Sequence, residues 1–275
     1  MAGQGECGLE GMAGKGELIV IEAVGIAPWR DLAERVLHAC SEVFVTANVP
    51  VTEKRYSDPK FLAMTLLART ISNMRGAILL LDHRRPIEAR VIVRCCLENS
   101  FWMASLHDGR DAFVKEMAHD EISHQHARGQ NMFAHKVPLD KDLENRLAQF
   151  MRRIAKQAKG KKTLSPKSVA HRTAFRKSYV IYEQLSSDSA HPSLTALNRH
   201  VVQPTDTTTG GIDMEPVAKD DQLAESLQYL TMAALRVSVG ANEIIGGTPG
   251  GEMLQGLLDE YMALTRRRDA TTEAR

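Results

Sequence analysis

The segment from Pro86 to about Leu106 constrains the fold more than any other part of the chain. Val91, Ile92, Val93, Cys95, Cys96, Leu97, Phe101, Trp102, Met103 and Leu106 make it apolar on nearly every side of a helix. A helix of that kind has no face to give to water, so it must be enclosed by others. Its neighbours in sequence supply the enclosing stripes. From about Pro59 to Asp82, Met64, Leu67, Ile71, Met74, Ile78 and Leu81 recur at steps of three and four, and from about Asp220 to Ile245, Leu223, Leu227, Leu230, Ala234 and Val237 do the same. Hydrophobic residues make up 43% of the 275 positions but aromatics only 5%. Leu, Ile, Val, Met and Ala therefore carry the core, a mixture that favours helix over an all-β fold.

Punctuation sets the remaining elements. Pro28 suits a first helical residue, and that helix runs until Asn48-Val49-Pro50 stops it. Asp108-Gly109 ends the enclosed helix. A polar, histidine-rich helix follows over about 111–133, then one over about 140–159 with Leu143, Leu147, Phe150, Met151 and Ile154 on one face, capped at Gly160. A sixth helix is predicted over about 167–185 with the stripe Phe175, Tyr179, Tyr182. Ser193 suits the N-cap of a short helix ending at His200. Residues 201–217 have a Thr-rich middle with Gly210-Gly211, which predicts a small β-hairpin insertion. Gly246-Gly247 and Pro249-Gly250-Gly251 precede a last helix over about 252–268, whose basic end Arg266-Arg267-Arg268 suits a helix C-terminus. Short connections predict an all-α protein: a single bundle of about eight helices over 17–275, after a disordered segment over 1–16.

Cys7, Cys40, Cys95 and Cys96 include no Cys-x-x-Cys pair, and adjacent cysteines on a helix do not readily bridge. They read as reduced thiols of a cytoplasmic protein. The glycine-rich start lacks the apolar stretch of a signal peptide, and no run of about 18 apolar residues predicts a membrane span.

The charge is unevenly distributed. Asn145 to Tyr182 spans 38 residues with eleven basic side chains and no acid: Arg146, Arg152, Arg153, Lys156, Lys159, Lys161, Lys162, Lys167, Arg172, Arg176 and Lys177. The rest of the chain holds 24 basic against 34 acidic residues, a net charge of −10 beside a total of +1. Helical faces on a surface usually mix signs. An acid-free run points to an anionic partner, nucleic acid being the one whose phosphates match it best, with Arg152, Arg153, Lys156, Lys159, Lys161, Lys162, Arg172 and Arg176 as the contacting side chains. Phe175, Tyr179 and Tyr182 follow a core stripe and are not free to stack on bases, so backbone contact is expected over base readout. A structural subunit that docks an acidic protein is the alternative.

Candidate chemistry lies elsewhere. Arg90, Arg94 and Glu98 share one face of the enclosed helix, and Arg94 and Glu98 are placed to pair. Such a set is either an anion-binding patch in a cleft or a buried pair that fixes helix register. The segment Tyr182 to Pro192 contains Ser186, Asp188, Ser189 and His191, the residue types of nucleophilic catalysis, but no glycine pattern of a nucleophile elbow, so a hydrogen-bonded corner is the better expectation. Glu116-x-x-His119 and Glu121-x-x-His124 resemble half of a di-iron site. Both lie on one helix, offset by five residues and facing different ways, so no metal and no cofactor is expected.

Arg128 and His135, with Gly129 where a polar residue is usual, resemble the Arg-x(4–6)-His signature of the HEPN superfamily, small helical ribonucleases of toxin and phage-defence systems. That resemblance implies a metal-independent ribonuclease in which Arg128 and His135 act on an RNA phosphodiester across a homodimer interface. The pairing of Arg94-x-x-x-Glu98 with Tyr182-x-x-Leu185-Ser186-x-x-x-x-His191-Pro192 resembles a bacterial all-helical family of unknown function over about 55–200. It implies that Arg94, Glu98, Tyr182, Ser186 and His191 meet in one place, and implies no particular activity; Arg94, Glu98, Ser186 and His191 are the candidates for any catalysis.

Overall fold

The computed structural model describes residues 25–158, 163–207, 209–216 and 218–273, with side chains to 268. Among the described residues there are nine α-helices: α1 Ile26–Thr46, α2 Pro59–Asp82, α3 Pro86–Ala134, α4 Lys141–Ala158, α5 Pro166–His171, α6 Tyr179–Leu185, α7 Leu194–Asn198, α8 Asp220–Ile245 and α9 Leu254–Glu273. The expected hairpin is a two-residue ladder, β1 Val201–Val202 antiparallel to β2 Gly211–Ile212, with Val201 opposite Ile212. The chain is therefore all-α with a small β-hairpin. The segment 1–16 and residues Lys159, Gly160, Lys161 and Lys162 lie outside the described residues.

The first half of α3 is enclosed, as its all-round apolar surface demands. It packs against α2 and α8, which also pack on each other and on α1, while α9 lies along α1 and α8. Val93, Leu97, Phe101, Met103 and Leu106 are fully buried, with Leu67 and Met74 from α2, Leu230 and Ala234 from α8, and Trp29 from α1. Trp29 meets Tyr261 of α9 edge-on at 5.6 Å. A side chain such as Phe101 contributes about 3–5 kcal/mol by the cost of truncating it to alanine.

Local signals place most ends. The Asp58 carboxylate accepts the Lys60 N–H and Pro59 opens α2. Ser165 and Ser168 form a reciprocal capping box at α5, and Ser193 accepts the Ala196 N–H at α7. Gly246 ends α8 at φ 97°, a left-handed conformation that glycine adopts without a Cβ clash.

Four boundaries differ from the sequence reading. Helix α1 starts two residues before Pro28. The stop expected at Asp108-Gly109 is a kink at Arg110 (φ 45°, ψ −125°), through which α3 runs on to Ala134. The predicted helix over 167–185 is broken: Thr173 Oγ1 donates to the Ala170 carbonyl and accepts the Phe175 N–H, offering the backbone a turn in place of the helical ladder. Arg172 and Arg176 consequently do not share one face of one helix. Helix α9 continues beyond Arg266-Arg267-Arg268 to Glu273, so that cluster is not at its C-terminus.

Beyond the kink, α3 pairs with α4 as a helical hairpin. The two backbones approach so closely at Gly129 that a Cβ there would lie 2.2 Å from Met151 Sδ. Gly129, which departs from the HEPN pattern, thus has a packing reason in this chain.

Candidate functional site

Helix α3 presents Arg90, Arg94 and Glu98 at four-residue steps, and the fold gives each a different fate. Arg90 is 3% exposed. Its Nη1 donates to Asp188, its Nη2 to Glu225 and its Nε to Ser226 Oγ at 3.1 Å. Asp188 is as deeply buried and also accepts from Nε and Nη2 of Arg199, the Nε bond being 2.8 Å. Glu225 in turn accepts from the Tyr229 hydroxyl at 3.1 Å and lies 3.8 Å from Arg268 Nη2. Burial pushes the Asp188 carboxyl upward, but the hydrogen bonds from Arg199 and Arg90 outweigh it and hold the group below the usual carboxylate value. Charges removed from water in this way are tolerable because their hydrogen-bonding positions are filled from both sides.

Arg94 does not pair with Glu98. Its Nη1 donates to the Tyr182 hydroxyl at 2.8 Å, and its guanidinium carbon sits 5.4 Å from the centre of that ring. Glu98 is half-buried and makes no ion pair among the described residues. An i, i+4 pair gives only a few tenths of a kcal/mol, and the tyrosine offers both a hydrogen-bond acceptor and a π face.

The corner after α6 is one turn of π-helix, 186–190, followed by extended His191. Tyr182, Ser186 and His191 line one open groove with Tyr179, Glu183 and Ser187. Arg94 reaches this group through Tyr182, whereas Glu98 is not among the groove residues. The catalytic constellation considered for this segment does not assemble: Asp188 is buried between two arginines, and Ser189 Oγ donates to the Leu185 carbonyl at 2.6 Å. Ser186 Oγ and Arg94 Nε are buried without a hydrogen-bond partner among the described residues.

The outlying candidates occupy the hairpin. Arg128 is exposed and lies 3.2 Å from Glu121, and His135 is the exposed C-cap of α3. Glu116 is paired with Arg172 at 2.7 Å, and Asp120 accepts the Leu164 N–H, fastening the segment after α4 to α3. Among the described residues no three His, Cys, Asp or Glu side chains converge as metal ligands.

The basic stretch divides in two. On α4, Met151 and Ile154 face α3, while Arg146, Arg152, Arg153 and Lys156 are exposed on the other side. Arg146 lies 4.0 Å from Asp142, and Arg153 sits over the Phe150 ring at 5.4 Å. Arg152, Arg153 and Lys156 have no carboxylate partner among the described residues. Arg172, in contrast, is both ion-paired with Glu116 and stacked 5.1 Å over Phe113, and so serves to hold α5 on α3. Arg176 is exposed. Phe175, Tyr179 and Tyr182 pack against the core, the two tyrosines stacked at 5.5 Å, as the stripe predicts.

Sequence reasoning missed the partners of Arg90 and missed Arg236 of α8 altogether. Arg236 is the one charged residue between Glu225 and Glu243, an isolation that could have singled it out. Asp188 and Glu225 are 98 and 135 positions from Arg90, Arg199 is 11 from Asp188, and none of the three carries a comparable signal.

Residues 60–208 match the model of a family of unknown function, DUF5677, more than half of the chain. The match takes in α2, α3, α4 and the corner at Ser186–His191. No curated protein and no solved structure matches the chain. No helix among the described residues is long and apolar enough to cross a membrane.

Proposed function

The chain belongs to the DUF5677 family, a family of unknown function, and we propose that it is a helical module that docks the phosphate backbone of a nucleic acid on α4. The observation that carries this reading is the outward face of α4. Arg152, Arg153 and Lys156 are exposed there without carboxylate partners among the described residues. Three of the four acids of the adjoining half of α3 are otherwise engaged: Glu116 with Arg172, Asp120 with Leu164 and Glu121 with Arg128, leaving Asp111 near the kink. The positive field of α4 is therefore not cancelled by its neighbour.

The core packing of Tyr179 and Tyr182 argues for contact with phosphates over stacking on bases. Binding of this kind is electrostatic and indifferent to sequence. With three or four phosphates neutralised on a single strand, affinity falls roughly 20- to 50-fold between 50 and 200 mM salt. Fluorescence anisotropy with a labelled single-stranded RNA and its scrambled counterpart tests it. The expected result is a steep salt response, equal for both sequences, and loss of binding in the Arg152→Glu, Arg153→Glu, Lys156→Glu variant. A flat salt response, or binding that survives the triple charge reversal, overturns the reading.

A further inference from the structure

A second arginine, Arg236, lies half-buried in the bundle with no counter-ion among the described residues, at a place unconnected with α4. Helices α3, α8 and α9 and the turn at 174–175 enclose a cleft of about 400 Å³. Its walls are apolar, with Met103, Phe175, Met232, Leu235, Val239 and Leu258 among them, and of the described residues Arg236 is the one arginine or lysine that lines it. The volume lies in the range of small-molecule sites.

Arg236 is held in place but not neutralised. Its guanidinium carbon lies 4.1 Å from the centre of the Phe175 ring, and Nη1 donates to Ser178 Oγ at 2.9 Å. Nε and Nη2 have no protein acceptor, and no carboxylate lies within ion-pairing distance among the described residues. Burial draws its pKa down to about 10, so it remains a cation at neutral pH. The rim acids do not answer it. Glu243 lies 2.9 Å from His107 Nε2 and Asp108 3.0 Å from His107 Nδ1, and both acids are solvent-exposed.

From this geometry we infer that the cleft is a binding site for a small amphipathic anion: a carboxylate that pairs with Arg236, on an aromatic or aliphatic body that fills the apolar walls. Guanidinium presents parallel N–H groups that match a carboxylate in a bidentate pair. Phe175 fixes the plane of that fork in advance, and Ser178 takes one donor and leaves the others to the ligand. An ion pair made in an apolar cleft is stronger than one made in water, and apolar contact supplies the rest of the affinity.

The test uses the full chain and two isosteric probes, 1-naphthoate and the neutral 1-naphthamide, by isothermal titration calorimetry at pH 7, with inorganic phosphate as competitor. The expected result is one site that prefers naphthoate at least tenfold. Arg236→Gln abolishes that preference, and phosphate alone competes poorly because it lacks the apolar body. Ala104→Phe, a change on the half-buried lining, weakens both probes and keeps the test decisive where Arg236→Gln fails to fold. Arg152→Glu with Arg153→Glu leaves naphthoate binding unchanged, which separates this site from the α4 face. Equal affinity for the two probes, no binding of naphthoate, insensitivity to Ala104→Phe, or phosphate competing as well as naphthoate overturns the inference.

Discussion

Two arginines enter the interior from adjacent helices and meet opposite surroundings. Arg90 of α3 finds two carboxylates and a hydroxyl, and its principal partner Asp188 is clasped by a second arginine. Arg236 of α8 finds an aromatic face, one serine hydroxyl and an apolar cleft. The first set is complete: every charge is answered, Arg90 and Asp188 are closed off from solvent, and α3, α8 and the 186–199 segment are tied at one point. The second is incomplete: among the described residues no carboxylate answers Arg236. Removing a partner from a complete cluster strands a charge, whereas removing the lone charge strands nothing.

The largest expected effect follows from that asymmetry. Arg90→Met takes away one of the two arginines on buried Asp188 and the closest cation of Glu225 and should cost about 3–5 kcal/mol, the scale for breaking a buried ion pair. Chemical denaturation with an unchanged slope would measure it. A loss below about 1 kcal/mol would show that the cluster is no more than a surface pair.

Acid sharpens the same contrast more gently. The Asp188 carboxyl is lowered in the folded state, so its contribution is fully present above the unfolded value of about 3.9 and is lost as pH falls through the lowered folded value. Wild-type stability should therefore decline between neutrality and strong acid more steeply than that of Asp188→Asn, which lacks the linkage. Parallel curves from thermal melts across pH would remove Asp188 from the account.

The smallest effect is expected at the other arginine. Arg236→Met deletes one hydroxyl hydrogen bond and a cation–π contact, and relieves the desolvation of an unpaired ion. Its melting temperature should match or exceed wild type, with a change within about 1 kcal/mol, as is usual where a binding group is kept at the expense of stability. A loss near that of Arg90→Met would mean that Arg236 is a structural strut.

What the sequence revealed and what it hid follow from the range of the forces involved. Helical stripes such as Met64 to Leu81 are local, repeat every turn and predict their elements directly. The hairpin at 201–217 and the Ser193 cap are local as well. The break at Thr173 was missed because one side-chain hydrogen bond decided between two backbone conformations that the pattern Phe175, Tyr179, Tyr182 fits equally. Arg94 and Glu98 have ideal spacing, yet Tyr182, 88 positions away, won the arginine. The Tyr182–His191 corner was recognisable as a cluster, but the direction in which Asp188 points is set by Arg90 and Arg199, which only the packed chain brings together.

The kink at Arg110 divides α3 into a root held in the core and a shaft that carries α4. From Arg110 to Ala134 the shaft is roughly 36 Å long at 1.5 Å per residue. On a shaft of that length a 10° difference in the angle of the kink would displace the tip by about 6 Å. The left-handed φ of 45° at Arg110 is one that a side chain adopts only under constraint from its surroundings. The direction of the hairpin is thus set at Arg110 and made fast just beyond it by buried Phe113 and Val114 and by the Glu116–Arg172 pair.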